Sequence, residues 1–125
     1  MRGLIIDDSK ALRKILRSMM ERLQFEIVEA KNGQEGLDRL HEQEKLDLIL
    51  VDWNMPEMNG LEFIRAVRQE PAYRELPILM VTTETNLEQI MTALETGANE
   101  YLMKPFDHES LMDKLQGMGF SVASS

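Results

Sequence analysis

The sequence predicts an α/β fold in which a parallel five-stranded sheet is covered by helices on both faces. Five short apolar segments have the length of buried strands: residues 4–6 (LII), 25–30 (FEIVEA), 48–51 (LILV), 77–81 (PILMV) and 101–103 (YLM). Each is followed by a segment with helical spacing of its apolar residues. A strand that is regularly followed by a helix favours a parallel sheet, in which near-continuous apolar strands are buried on both faces.

The five helical segments are recognised by apolar residues that recur every three or four positions. They are marked by Leu12, Ile15, Leu16, Met19 and Leu23, by Leu37 and Leu40, by Leu61, Ile64 and Val67, by Leu87, Ile90, Met91 and Leu94, and by Leu111, Met112 and Leu115. Gly97 is predicted to cap the end of the fourth helix, and Asp107 to cap the start of the fifth. The second strand alternates in polarity more than the others, which indicates a sheet edge.

Length and composition indicate one globular domain. A chain of 125 residues fits a single core, and 43% hydrophobic with 29% charged residues is a globular composition. No apolar run approaches the ~20 residues of a membrane-spanning helix, so membrane insertion is not expected. We expect one domain over residues 1–120 and a C-terminal tail over residues 121–125.

The net charge of the chain indicates which kinds of partner it can bind. Lys and Arg number 14 against 22 Asp and Glu, which gives a net charge of −8. Direct binding to nucleic acid is not expected, because phosphate binding requires a basic surface, whereas cations and basic protein surfaces are favoured. The chain has no cysteine and its N-terminus has no secretory signal pattern, so we expect a cytoplasmic protein.

Polar side chains follow four of the predicted strands at the point where each strand ends. They are Asp7 and Asp8 after the first strand, Asp52 after the third, Thr82 after the fourth, and Lys104, followed by Pro105, after the fifth. Ligands of open parallel sheets bind beyond the carboxyl ends of the strands, so these groups are expected to converge. Carboxylates this close raise each other's pKa unless a cation lies among them. The expected cation is Mg²⁺, which prefers oxygen ligands.

The same groups suggest a chemistry. Asp8 and Asp52 are the expected direct ligands of Mg²⁺. Asp7 is expected to act partly by contacting the groups that coordinate the ion. A carboxylate such as Asp52 can accept a phosphoryl group to form an acyl phosphate, and Mg²⁺ and Lys104 would neutralise the transferred charge. Thr82 can then donate its hydroxyl to a phosphoryl oxygen. The turn NMPEMNG, residues 54–60, stops the strand and can supply a main-chain carbonyl near Asn54 as a further ligand.

Four motifs together resemble the receiver (response regulator) domain of two-component signalling, and most of all its chemotaxis regulators. They are LIIDDS (4–9), LILVDWNMPEMNGLEF (48–63), PILMVTTE (77–84) and YLMKPF (101–106). The resemblance covers nearly the whole chain. It implies a flavodoxin-like (βα)5 fold, doubly wound, with strand order 2-1-3-4-5.

The resemblance also implies a role for each site residue. Asp52 is the phosphoacceptor, Asp7 and Asp8 are the metal-site acids, Asn54 gives its carbonyl to Mg²⁺, Lys104 contacts the phosphoryl group, and Thr82 and Tyr101 are the switch pair. The Lys104–Pro105 bond is expected to be cis, as it usually is in the family. Two features depart from the family pattern: Thr83 is larger than the residue usual after the switch hydroxyl, and the last helix ends early, near Gly117 and Gly119.

Three classes of function are compared with the sequence. The favoured one is a signalling receiver that takes a phosphoryl group from a histidine kinase or histidine phosphotransfer protein and then binds a downstream protein, such as the flagellar switch, through its helix 4–strand 5–helix 5 face. Its variants are a phosphorelay intermediate and a receiver cut from a larger regulator. A flavodoxin-like redox carrier would need a phosphate-binding loop where DDSKALRK stands. An aspartyl phosphatase would need a cap insertion and a second general acid, so no enzyme activity is expected beyond self-phosphorylation and slow dephosphorylation.

Overall fold

The computed structural model describes residues 1–122, in which five strands alternate with five α-helices. The strands are β1 (Arg2–Ile6), β2 (Glu26–Ala30), β3 (Leu48–Asp52), β4 (Ile78–Thr82) and β5 (Glu100–Met103). The helices are α1 (Lys10–Arg22), α2 (Gly33–Glu42), α3 (Gly60–Gln69), α4 (Leu87–Thr96) and α5 (His108–Gly117), and a 3-10 turn covers Pro71–Tyr73. All ten predicted elements are therefore present, and α5 ends at Gly117, as predicted.

The five strands form one parallel sheet in the order β2-β1-β3-β4-β5. This order confirms the predicted fold and places the alternating second strand at an edge. All residues of β3 and β4, which lie inside the sheet, are buried. Asp52 is in register with Val81, and Thr82 with Met103. The carboxyl ends of β3, β4 and β5 therefore lie side by side.

Two apolar cores lie on opposite faces of the sheet. The core under α1 and α5 contains Leu16, Met20, Leu111 and Leu115 together with one set of strand residues. The core under α2, α3 and α4 contains Leu40, Phe63, Ile64, Val67 and Ala93 with the alternate strand residues. Because successive strand residues point to opposite faces, each inner strand contributes to both cores. This double burial explains the near-continuous apolar character of the strands.

The buried face of α4 is narrower than the sequence predicts. The helix is present, but of its predicted apolar stripe only Ile90 is buried, with 7% exposure. Leu87, Met91 and Leu94 are 67%, 49% and 36% exposed. The helix lies beside α3 and contacts the sheet through β5, an edge strand, so a strip formed by Ile90 and Ala93 is sufficient to pack it. Three large apolar side chains thus remain on the surface of α4.

Polar caps fix where the helices begin. Every α-helix of residues 1–122 has an N-cap side chain that accepts a main-chain N–H bond; the caps are Ser9, Asn32, Asn59, Asn86 and Asp107. Asn59 and Glu62 form a reciprocal capping box at α3. Gly97 ends α4 with φ of 143°, a value that favours glycine. The two predicted caps, Gly97 and Asp107, are therefore confirmed.

The chain after α5 folds back onto the core. The Phe120 ring lies 5.8 Å from the Phe25 ring, and Val122 is 8% exposed in the core under α1 and α5. Of the predicted tail, residues 123–125 lie outside the described residues. None of the helices within residues 1–122 has the length and apolar character needed to cross a membrane.

Truncating Val122 should therefore lower stability. Val122→Ala removes the equivalent of two buried CH₂ groups and is expected to reduce the free energy of unfolding by about 1.5 kcal/mol. Urea denaturation measures the change. The control is Ser121→Ala, because Ser121 is exposed and its truncation removes no core contact. Equal unfolding midpoints for the two variants would show that Val122 does not stabilise the core.

Candidate functional site

Three carboxylates meet at the carboxyl end of the sheet. Asp7 and Asp8 follow β1, Asp52 ends β3, and these two strands are neighbours. One carboxylate oxygen from each residue lies within 4.8 Å of the other two. Asp7 and Asp52 are buried, whereas Asp8 is exposed at the surface of the cluster. The structure therefore brings together the three acids predicted from the sequence.

Lys104 supplies the positive charge of the cluster. Its Nζ donates to Oδ2 of Asp7 at 3.1 Å and to Oδ1 of Asp52 at 3.0 Å. The Lys104 main-chain N–H donates to the Thr82 carbonyl at 2.8 Å, which fixes the residue after the end of β5. The Lys104–Pro105 peptide bond is cis, as predicted. The side chain reaches past the end of β4 and places an ammonium between two buried carboxylates.

Asp7 is held through both its main chain and its side chain. Its N–H donates to the Ala30 carbonyl of β2 at 3.1 Å. Its Oδ1 accepts the Ser9 N–H at 2.8 Å, while Oδ2 accepts the Lys104 bond. Each carboxylate oxygen of Asp7 therefore has a donor of its own, which fixes the orientation of this acid. The Ser9 contact was not predicted.

The electrostatics of the cluster fit a divalent cation. Burial raises the pKa of the Asp52 carboxyl, the Lys104 hydrogen bond lowers it, and the nearby charges of Asp7 and Asp8 raise it again, so that the pKa stands above its ordinary value. Three ionised carboxylates with one ammonium carry a net charge of −2. Oxygen ligands and this charge match Mg²⁺, which Asp7, Asp8 and Asp52 can hold.

Gly60 allows the start of α3 to approach Asp52 closely. Its N–H donates to the Trp53 carbonyl at 2.9 Å, which closes the loop after β3. A Cβ atom at residue 60 would overlap the Asp52 carbonyl oxygen and lie 3.0 Å from the Trp53 Cα. A side chain here would displace the main chain that carries Asp52. The turn was predicted from its sequence, but this requirement for glycine was not.

Nearly the whole chain matches one known family. Residues 4–116 match the response regulator receiver domain, and this range contains the three acids and Lys104. The chain belongs to the response regulator receiver domain family. The receiver fold and the family predicted from the four sequence motifs are both confirmed by this match and by the observed strand order.

Similar proteins include named chemotaxis regulators. The chain is 43% identical over 117 residues to a chemotaxis protein CheY homolog of Campylobacter jejuni, which covers 93% of this chain and 90% of the relative. It is 39% identical to the chemotaxis protein CheY1 of Helicobacter pylori over 93% of this chain and 94% of that protein. The crystal structure of Vibrio cholerae CheY4 superposes with a TM-score of 0.87 at 37% identity, covering 94% of this chain and 97% of the other.

The two predicted switch residues of this receiver domain share one face of the sheet. Thr82 is 1% exposed, and its Oγ1 accepts the Glu84 N–H at 2.8 Å. Tyr101 is in register with Met80, two residues before Thr82, so both side chains point toward the core under α2, α3 and α4. Tyr101 is half-buried, and the Lys114 ammonium lies 4.7 Å from its ring centroid.

The loop after β3 carries the remaining predicted groups of the receiver site. Asn54 is exposed two residues after Asp52, and its carbonyl stays a predicted ligand. Trp53 is half-buried and packs against the core under α2, α3 and α4. Thr83 is exposed beside the buried Thr82. Trp53 directly follows Asp52 in the chain and can therefore serve as a fluorescent probe of the site.

Neutralising Asp52 should stabilise the metal-free domain at neutral pH. Because the folded-state pKa of Asp52 is raised, the folded state binds more protons than the unfolded state, and stability falls as pH rises through that pKa. Asp52→Asn removes this effect and should raise the free energy of unfolding by about 1 kcal/mol near pH 7. The gain should vanish as pH falls below the ordinary carboxyl range. Urea denaturation in EDTA at several pH values measures it.

The matched control is Asp113→Asn, because Asp113 is an exposed aspartate of α5 and is not one of the three acids of the cluster. Its neutralisation should leave the unfolding free energy within about 0.5 kcal/mol of the wild type. A similar gain in both variants would attribute the effect to the net charge of the chain. A loss of stability in Asp52→Asn at neutral pH would contradict the raised pKa.

Proposed function

We propose that this receiver domain accepts a phosphoryl group on Asp52 in a Mg²⁺-dependent reaction and then binds a downstream protein as a chemotaxis regulator. The phosphoryl donor is a histidine kinase or a histidine phosphotransfer protein. The observation that carries the proposal is the contact of the Lys104 ammonium with Asp52 inside a cluster of three carboxylates. A buried carboxylate with an adjacent cation and a place for a second one is suited to accept a phosphoryl group.

The residues of the cluster divide the work of phosphoryl transfer. A carboxylate oxygen of Asp52 forms a bond to phosphorus as the phosphorus–nitrogen bond of the phosphohistidine breaks. Asp7, Asp8, Asp52 and the Asn54 carbonyl would hold Mg²⁺, which would supply charge neutralisation to the phosphoryl oxygens. Lys104, 3.0 Å from Asp52, supplies a second positive charge. Transfer of this kind depends mainly on alignment and charge neutralisation.

The proposed output surface comprises α4, β5 and α5. It carries the exposed side chains of Leu87, Met91 and Leu94 from α4, with Tyr101 of β5 and Lys114 of α5 nearby. An apolar helix face beside a half-buried aromatic residue suits a protein partner. The names of the relatives from Campylobacter jejuni and Helicobacter pylori favour a chemotaxis output. The target proposed for this output is the flagellar switch. A phosphorelay partner is the alternative.

The domain acts as a phosphoacceptor in the cytoplasm and not as an enzyme with substrate turnover. Its chemistry is restricted to its own phosphorylation and slow dephosphorylation. Family membership supports this proposal, because receiver domains belong to two-component signalling. This function is distinguished from that of a phosphatase by accumulation of the phosphorylated protein, because a phosphoacceptor that dephosphorylates slowly accumulates the aspartyl phosphate.

Phosphorylation should require both Asp52 and Mg²⁺. With a small phosphodonor and Mg²⁺, intact mass spectrometry should show one phosphoryl group on the wild type and none on Asp52→Asn, because an amide cannot serve as the acceptor. EDTA should abolish labelling. Asp113→Asn is the control for a lost charge and should be labelled normally. Labelling of Asp52→Asn at another residue, or phosphate release by the wild type without accumulation of the phosphorylated form, would contradict the proposal.

The Thr82 hydroxyl should carry the signal from Asp52 to Tyr101. A phosphoryl group adds about −1.5 to −2 charges and strong acceptors, which should draw the hydroxyl away from the Glu84 N–H. Thr82→Ala should still be labelled at Asp52 but lose most of the phosphorylation-dependent change in the amide chemical shifts of α4 and β5. Its partner affinity should then lose a coupling of ~1–3 kcal/mol.

Thr83→Ala is the matched control, because Thr83 is the exposed neighbour of the buried Thr82 and its truncation removes the same hydroxyl and methyl groups. It should keep the chemical-shift changes on phosphorylation. If Thr82→Ala keeps the full wild-type response, the signal reaches α4 by a route other than the Thr82 and Tyr101 pair.

A further inference from the structure

Arg13 of α1 reaches the main chain of the acid cluster. Its Nη1 donates to the Asp7 carbonyl oxygen at 2.6 Å, and its Nε donates to Oε1 of Glu29 in β2 at 3.1 Å. The Arg13 side chain is only 15% exposed, and the Glu29 side chain 25%. A guanidinium that is largely buried and bonded at two points is fixed in position.

The Arg13 bond completes the support of the Asp7 peptide units. The Asp7 N–H already donates to the Ala30 carbonyl of β2 at 3.1 Å. With Arg13 on the carbonyl oxygen, the main chain of Asp7 is held at its N–H and at its C=O. That carbonyl belongs to the peptide that leads into Asp8. The orientation of this peptide sets the direction in which the exposed Asp8 carboxylate points.

The positive charge of Arg13 is neutralised within a network of neighbouring charged side chains. Oε2 of Glu29 accepts a bond from Nη1 of Arg17 at 2.7 Å, and Arg17 also pairs with Glu21 at 3.3 Å. Burial raises the pKa of Glu29, but the hydrogen bonds from Arg17 and Arg13 outweigh it and hold the pKa below the ordinary value. Two guanidinium and two carboxylate groups therefore form a neutral network. Arg13 can orient the Asp7–Asp8 peptide without adding net repulsion against Mg²⁺.

We propose that Arg13 is a positioning residue for the metal site, which it serves by holding the Asp7 carbonyl and thereby the direction of the Asp8 carboxylate. The inference rests on the proposed binding of Mg²⁺ by this cluster. Groups that orient metal ligands typically change metal affinity by 10–100-fold when they are removed. Arg13 acts through main chain on an exposed ligand, so the lower end of that range, about tenfold, is expected.

Arg17 is a control that distinguishes a positioning role of Arg13 from a purely structural one. It bonds the same carboxylate, Glu29, and links the same helix to the same strand. Within residues 1–122, however, the hydrogen bonds of Arg17 go to Glu29 and Glu21 and not to Asp7. Loss of either arginine removes a link between α1 and β2, but only loss of Arg13 frees the Asp7 carbonyl.

The test is a Mg²⁺ titration followed by Trp53 fluorescence and by calorimetry, with urea denaturation of each variant. The variants are Arg13→Ala, Arg13→Lys and Arg17→Ala. Arg13→Ala should weaken Mg²⁺ binding about tenfold. Arg17→Ala should stay within about twofold of the wild type although its urea midpoint falls, because its Glu29 contact is structural. Arg13→Lys has one ammonium in place of a fork of donors and should give an intermediate affinity.

The results distinguish a failure of the Arg13 positioning role from a failure of the proposed Mg²⁺ binding. Equal Mg²⁺ affinities for Arg13→Ala and Arg17→Ala would overturn the positioning role while leaving the metal site intact. If Arg13→Ala does not fold, Arg13→Lys decides in the same way, since wild-type affinity in that variant contradicts the proposal. Absence of Mg²⁺ binding by the wild type in both methods would overturn the proposed function itself, and this inference with it.

Discussion

The contact of the Lys104 ammonium with Asp7 and Asp52 is the interaction on which the site depends. Both carboxylates are buried, and an unpaired charge in that position is strongly unfavourable. Lys104 lies at distances of 3.1 Å and 3.0 Å from them and joins the ends of β1, β3 and β5 in one place. It compensates only part of the negative charge. Two negative charges are left uncompensated at this edge of the sheet, an arrangement that suits a divalent cation.

The buried main chain of β1 and β3 fixes the positions of the site residues. β1 and β3 are neighbouring strands inside two cores, so the positions of Asp7 and Asp52 follow from the register of the sheet. The loops are then held by individual contacts. Gly60 lets α3 approach the Asp52 carbonyl, and the Arg13 guanidinium binds the Asp7 carbonyl. Rigid strands carry the acids, and short contacts to carbonyl oxygens orient the loops that complete the site.

The proposed output surface is less tightly packed than the acid cluster. On α4, Leu87, Met91 and Leu94 are exposed because the helix packs only through Ile90 and Ala93 beside an edge strand. The Lys114 ammonium of α5 lies 4.7 Å from the Tyr101 ring centroid and is also paired with Glu100 at 3.2 Å. Thr82 is buried at the end of β4, the strand that neighbours the Asp52-bearing β3. In the proposed function, a change of charge at Asp52 reaches α4 through the Thr82 hydroxyl, which accepts the Glu84 N–H.

The sequence by itself determined the strands and helices of this protein and the side chains that meet at the end of its sheet. Hydrophobic spacing identified all ten strands and helices, and the residues at the strand ends identified Asp7, Asp8, Asp52, Thr82 and Lys104, because a residue at the end of a parallel strand has its location set by the strand. The strand order came from family resemblance and not from periodicity. Only the tertiary structure decided which face of α4 is covered, that Val122 joins a core, and that Arg13 and Gly60 support the site. Spacing shows which residues share a face but not what packs against it, and contacts to main-chain carbonyls leave no pattern in the residues they bind.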